Sequence, residues 1–114
     1  MKDLKRKIHY WCSDTMQNKI TGKGVVCAVL DTGITQHPDL VGRIVGWKDC
    51  VQGKKTIYDD NGHGTHVAGI LAGNGKSGRG LYSGMAPEAQ IFAVKVLNQR
   101  GGGKIRDVIN GIRY

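Results

Sequence analysis

Apolar positions along this chain switch between helical and strand-like spacing, and the switches mark out its elements. Leu4, Ile8, Trp11, Cys12 and Met16 recur near the helical period, which predicts an amphipathic helix over 3–18. Thr21-Gly22-Lys23-Gly24 breaks it. The continuous, β-branched run VVCAVL over 25–30 predicts a strand buried on both faces of a parallel sheet, ended by Asp31-Thr32-Gly33. His37-Pro38-Asp39-Leu40 reads as a turn and 43–47 as a second strand. Residues 52–62 are polar and turn-rich, and a helix of small residues is predicted from His63 to about Ala72. A glycine-rich loop over 73–84 leads to another buried strand, QIFAVKVL over 90–97, and a flexible loop over 98–103. Ile105, Val108, Ile109 and Ile112 share one face of a final helix over 104–114. No internal repeat interrupts this order, and strands alternating with helices predict an α/β sheet.

Composition narrows the class. A chain of 114 residues suits one small domain, and 39% apolar with 23% charged residues argues against disorder. Eighteen Gly against two Pro imply many tight turns and close backbone approaches. The 17 Lys and Arg exceed the 9 Asp and Glu, yet they are scattered, with one cluster at Lys2-Lys5-Arg6-Lys7. With 6% aromatics and no recognition motif, the excess reads as a solvated basic surface, and no nucleic-acid partner is expected. Cys12, Cys27 and Cys50 form no CxxC and cannot all pair, which favours reduced thiols and a cytoplasmic setting. The basic start lacks the apolar stretch of a signal peptide, and no run is long enough to span a bilayer, so no membrane partner is expected.

Three segments compete for the chemistry. Asp31 is a carboxylate at the carboxyl end of a buried strand, where open α/β sheets gather functional groups. Asp31-Thr32-Gly33 also suits an aspartic protease, but bulky Ile34 follows, the nearest later match to its companion motif is Ile44-Val45-Gly46, and the remaining pattern is α/β. The second segment, Asp60-Asn61-Gly62-His63-Gly64-Thr65-His66-Val67-Ala68-Gly69, puts an imidazole in the first turn of a helix. Gly64, Ala68 and Gly69 thin that helix so that it can press on a sheet, and imidazole is the natural general base near neutral pH. His63 and His66 share a face, but no third ligand follows at metalloprotease spacing, so no metal is assigned. His66 is expected to make a structural hydrogen bond beneath the site. The third segment, GNGKSGRG over 73–80, lacks the leading glycine of a phosphate-binding loop and follows a helix, so it is read as a surface loop.

Taken in order, Asp31-Thr32-Gly33 and His63-Gly64-Thr65-His66-Val67-Ala68-Gly69 resemble the first two catalytic blocks of the subtilisin-like serine proteases. Gln36-His37-Pro38-Asp39-Leu40, Met85-Ala86-Pro87-Glu88-Ala89, Ala93-Val94-Lys95-Val96-Leu97 and Asn110-Gly111-Ile112 are similar to that family too. The glycine-rich loop over 73–84, with no secretory signal, resembles its intracellular or alkaline branch. The resemblance implies a three-layer, mostly parallel doubly wound α/β sheet of the subtilisin type. Residues 24–114 would be the amino-terminal part of its peptidase domain, preceded by a helix and turn over 1–23. It implies a serine endopeptidase in which His63 is the general base and Asp31 orients it. Gly101, Gly102 and Gly103 would pair with an extended peptide or protein substrate, and Ile105 would sit near a side-chain pocket.

The family's Gly-Thr-Ser-Met-Ala block and its oxyanion asparagine are absent from these 114 residues. Ser83-Gly84-Met85-Ala86-Pro87 is not a substitute, since it lacks the preceding Gly-Thr and matches a turn before a strand. The expectation is a fragment, inactive alone, whose partner is the missing carboxyl-terminal part of the same domain. The alternative is a naturally short, inactive relative acting as a binding or complementing module. Asp39 matches a calcium ligand of secreted relatives, but the partnering loop here carries Lys76 and Arg79, so neither calcium nor any other cofactor is expected. Two apolar strands with little to cover them predict a molten or self-associating species for the isolated chain.

Overall fold

The computed structural model describes residues 20–75 and 83–114; the helix predicted over 3–18 lies outside them. Three parallel strands form one sheet: β1 (Val26–Asp31), β2 (Ile44–Asp49) and β3 (Gln90–Lys95). Helix α1 (His63–Ala72) joins β2 to β3, and α2 (Ile105–Arg113) follows β3. The predicted turn at 37–40 is a single 3-10 turn, Pro38–Leu40, capped by the His37 ring, which accepts from the Asp39 amide. Each predicted element within the described residues is present, with ends displaced by one or two positions. β3 stops at Lys95 because Val96 and Leu97 both turn their amides onto the Asp31 carbonyl, at 2.9 and 3.1 Å.

The strand order is β1-β3-β2. β3 therefore lies in the middle, and its apolar run is the one buried between two layers. Ile91 and Ala93 face α1 and join Ile34, Leu40, Ala68 and Ala72 in the core. Val94 and Val96 face the opposite way, beneath Gly111 of α2. Helices on both faces make the arrangement three-layered, as the family resemblance implied.

β1 stands at one edge of the described sheet. Among the described residues it pairs only with β3, and Val25 and Val26 are half exposed, at 50% and 53%. A continuous apolar run records that a strand tolerates cover on both faces; it does not specify how many neighbours the strand has.

The register matters for the site. Asp31 of β1 and Asp49 of β2 both stand opposite Lys95, so the three strands end on one row of charged residues. That row lies at the carboxyl edge of the sheet, where loops rather than strands meet the side chains.

Candidate active site

A helix begins with four amide groups that its own backbone cannot satisfy. In α1 each finds a different acceptor. The Gly62 amide donates to Asp59 Oδ1 (2.8 Å), His63 to Asn61 Oδ1 (3.0 Å), Gly64 to the Thr32 hydroxyl (2.8 Å) and Thr65 to Asp59 Oδ2 (2.9 Å). The Thr32 hydroxyl in turn donates to Asp59 Oδ1 at 2.8 Å. The residue following Asp31 therefore anchors the first turn of the helix that carries His63, so acid and base share one local frame.

That approach depends on two glycines. A Cβ on Gly64 would lie 2.2 Å from the Gly33 carbonyl oxygen. Gly33 has φ +123°, and a Cβ there would meet the Tyr58 carbonyl at 2.1 Å. The expectation for Gly69 is corrected: its Cβ position opens into free space, so this glycine does not thin the helix against the sheet.

Within this frame His63 Nδ1 lies 2.8 and 3.0 Å from the two Asp31 oxygens. A carboxylate only accepts, so Nδ1 carries the proton and Nε2 is left with a free lone pair. The Asp31 side chain is 12% exposed and that of His63 64%. The carboxylate also accepts from the Thr32 amide at 2.7 Å, which fixes its plane. The arrangement is suited to a general base: the ring's orientation and tautomer are held from behind while Nε2 is left to face outward.

Asp59 is the organiser that the sequence reading passed over. It accepts from the hydroxyls of Thr32 and Thr65 and from the amides of Asn61, Gly62 and Thr65. Burial alone would raise its carboxyl. The hydrogen bonds from Thr65, Gly62 and Thr32 outweigh that and hold it well below the usual carboxylate range. Asp49 does the same for the preceding loop, accepting from the Val51, Gln52 and Lys54 amides and from the Tyr58 hydroxyl (2.6 Å). Burial, then that bond and the charges of Asp49 and Asp60, push the Tyr58 phenol up. Lys95, also overlooked, is fully buried and donates to the Thr32 carbonyl, Asp60 Oδ1 and the Leu97 carbonyl at 2.6, 2.8 and 2.8 Å. The available sequence signal was a lysine inside an otherwise apolar strand, a position a buried charge occupies only when partnered.

The other predicted residues fall in separate places. Gly101, Gly102 and Gly103 lie in the exposed segment after β3, folded around Asn98, whose side chain accepts from the Arg100 and Gly102 amides. Asn61 joins this segment to the base-bearing turn by donating to the Gln99 carbonyl at 2.9 Å. Ile105 is 80% exposed on the first turn of α2, and it lines neither of the cavities that flank the His63 turn. His66 is corrected: it is exposed on the outer face of α1, beside Thr35, His37 and Leu40, and its ring has no hydrogen bond among the described residues. The structural bonds expected of it are made by Thr32, Asp59 and Thr65. Ser83 lies where Gly84, Met85 and Ala86 donate to the carbonyls of Gly73, Ile70 and Leu71, at the far end of α1. A ten-residue helix spans about 15 Å, so Ser83 is remote from His63. Among the described residues no cluster of three or more His, Cys, Asp or Glu could hold a metal ion, and no helix is long and apolar enough to cross a membrane.

Comparison with known proteins gives one family. The model described as the subtilase family matches residues 22–114. The chain is 56% identical over 95 residues to the serine protease AprX of Bacillus subtilis, covering 83% of this chain and 22% of that protein. It is 46% identical over 94 residues to thermitase of Thermoactinomyces vulgaris, covering 82% of this chain and 33% of that protein. Its fold is similar to the crystal structure of a cold-adapted subtilisin-like serine proteinase, with a TM-score of 0.72 and 37% identity, over 82% of this chain and 32% of the other. The chain thus spans about a third or less of the length of these proteins.

Proposed function

The chain belongs to the subtilase family, and on that premise we propose that it supplies the acid and the base of a serine endopeptidase. The observation that carries this reading is the Asp31–His63 pair, with Nδ1 held by the carboxylate and Nε2 free and outward. In the proposed reaction a serine hydroxyl attacks the scissile carbonyl while His63 Nε2 takes its proton. The same nitrogen then returns the proton to the leaving amine. Asp31 keeps the imidazole in the right tautomer and stabilises the imidazolium formed between the two steps. The reaction needs no cofactor, because every transfer is of a proton or an acyl group.

Gly101 to Gly103 would take an extended peptide edge-on, their missing side chains letting two backbones approach. The Asn61–Gln99 bond supports this, since it ties that segment to the turn bearing the base. Ile105 would contact a substrate side chain farther along. The serine and the oxyanion donors would come from a polypeptide that carries the Gly-Thr-Ser-Met-Ala block, the carboxyl-terminal part of the same domain. Among the described residues the thiols of Cys27 and Cys50 are free, which supports a cytoplasmic setting.

Joined to or mixed with a subtilase segment bearing that block, the chain is expected to hydrolyse chromogenic peptides and react with a fluorophosphonate probe. Asp31→Asn and His63→Ala should each lower kcat by roughly 10⁴, and the double variant by little more. The 114 residues alone should show neither turnover nor labelling; labelling at Ser13, Ser77 or Ser83 overturns the reading.

A further inference from the structure

Lys95 is the largest wholly buried side chain among the described residues, yet the proton transfers proposed for His63, oriented by Asp31, do not require it. Burying an ammonium costs several kcal/mol unless each of its donors is used, and an apolar residue would fill the space without that cost. All three donors are used, each on a different segment. Thr32 O belongs to the residue that follows the acid and Asp60 Oδ1 to the loop that leads into the base. Leu97 O belongs to the residue that opens the glycine-rich segment. The Tyr58 ring, fixed by its own bond to Asp49, closes the remaining side with its centroid 5.0 Å from Nζ.

The Leu97 contact gives this arrangement a direction. Its amide donates to the Asp31 carbonyl at 3.1 Å, and its carbonyl accepts from Lys95. Both backbone groups of the residue immediately before Asn98 are thus tied to the neighbourhood of the acid. A strand that receives a peptide edge-on must present its backbone at a fixed height relative to the attacking groups, because misplacement by about 1 Å can cost roughly 100-fold.

We propose that Lys95 is a positioning residue: its ammonium, balanced by Asp60, fixes the substrate-receiving segment 98–103 in register with the Asp31–His63 pair. The inference rests on the endopeptidase reading above. Asp60 is its counter-charge, partly exposed at 32%, and so the more accessible handle.

The test compares two substrates in the assembly of this chain with a serine-bearing subtilase segment, normalised to active sites by fluorophosphonate titration. One substrate is an extended tetrapeptide anilide, the other a small acyl ester too short to reach residues 98–103. Lys95→Met should lower kcat/KM for the tetrapeptide about 30-fold or more, with at most about a threefold change for the ester. Asp60→Asn keeps an acceptor oxygen and is the variant least disturbing to folding. It should move the same ratio in the same direction by about threefold to tenfold. Equal losses on both substrates overturn the proposal, since a merely structural role lowers both together. Hydrogen exchange at the Leu97, Asn98, Gly101 and Gly102 amides reads the same contact without catalysis. It should accelerate at least tenfold in Lys95→Met, while the Ala93 amide stays unchanged. Unchanged exchange at residues 97–102 overturns the proposal, whereas a wild-type assembly that forms but hydrolyses nothing overturns the endopeptidase reading instead.

Discussion

Among the described residues the two sides of the sheet are covered to different extents. On the α1 side, Ile34, Leu40, Ala68, Ala72, Ile91 and Ala93 are almost wholly buried, and the polar groups above them form a continuous network. On the α2 side, Val94 and Val96 are covered, but Ile109 and Ile112 are 41% and 70% exposed, and Ala28, Leu30, Phe92 and Tyr114 line an open apolar groove. Backbone meets backbone on the first side, through Gly64 and Gly33; on the second, the nearest atoms to Gly111 are side-chain methyl groups of Val96, Val94 and Leu30. Contacts that fix the Asp31–His63 geometry tolerate no slack, because backbone atoms cannot move aside. Contacts that merely remove apolar surface from water can be made loosely.

Glycine replacements offer the largest test of this contrast. Gly64→Ala should destabilise the domain by about 3 kcal/mol, because its Cβ must displace the Gly33 peptide. Gly111→Ala puts its Cβ 2.5 Å from the Val96 methyl, so a buried side chain must give way, but no backbone is struck and roughly 1 kcal/mol of helix propensity is gained. Its net loss should be about 1 kcal/mol, well short of that at Gly64. Thermal unfolding followed by circular dichroism decides the matter, and equal losses would abolish the distinction between the two sides.

A smaller effect is expected at Asp59, where replacement by Asn leaves several donors facing an amide; about 2 kcal/mol should be lost. The pH arm has a definite sign. The Asp59 carboxyl is held below its ordinary value of 3.8, so the unfolded chain takes up the proton first as pH falls. Its contribution is therefore complete above about pH 4 and disappears progressively below it. Asp49, lowered by its own hydrogen bonds despite burial, acts in the same direction. Denaturant titrations between pH 7 and pH 2 should show a shallower acid loss in Asp59→Asn than in the wild type. An unaltered slope would mean that this network contributes nothing to acid stability.

The smallest effect belongs to the loose side. Ile112→Ser should change stability by less than about 0.5 kcal/mol, since the side chain is mostly exposed already, while lowering the binding of an apolar dye. A loss above about 2 kcal/mol would show that α2 is as tightly packed as α1.

Much of this molecule was legible in one dimension. The apolar runs at β1 and β3, the small-residue helix after His63 and the amphipathic spacing of α2 each depend on near neighbours in sequence, and periodicity reports those directly. Asp31 and His63 were legible too, because each stands inside a distinctive local block at the end of a strand or the start of a helix. The organising residues between those blocks were not. Asp59 gathers donors from 32, 61, 62 and 65, and Lys95 reaches from 95 back to 32 and 60.

His66 misled for the complementary reason. Its spacing from His63 assigned it a face of α1 but could not say whether that face meets the sheet or the solvent. The sequence alone determined which elements form and singled out the two side chains that the structure pairs, Asp31 and His63, since both follow from local pattern. Only the tertiary structure decided which strand is central, which helix face is buried and which carboxylate and ammonium hold the site together. Those choices are made when segments far apart in the chain bring unsatisfied amides, carbonyls and charges within hydrogen-bonding distance of one another.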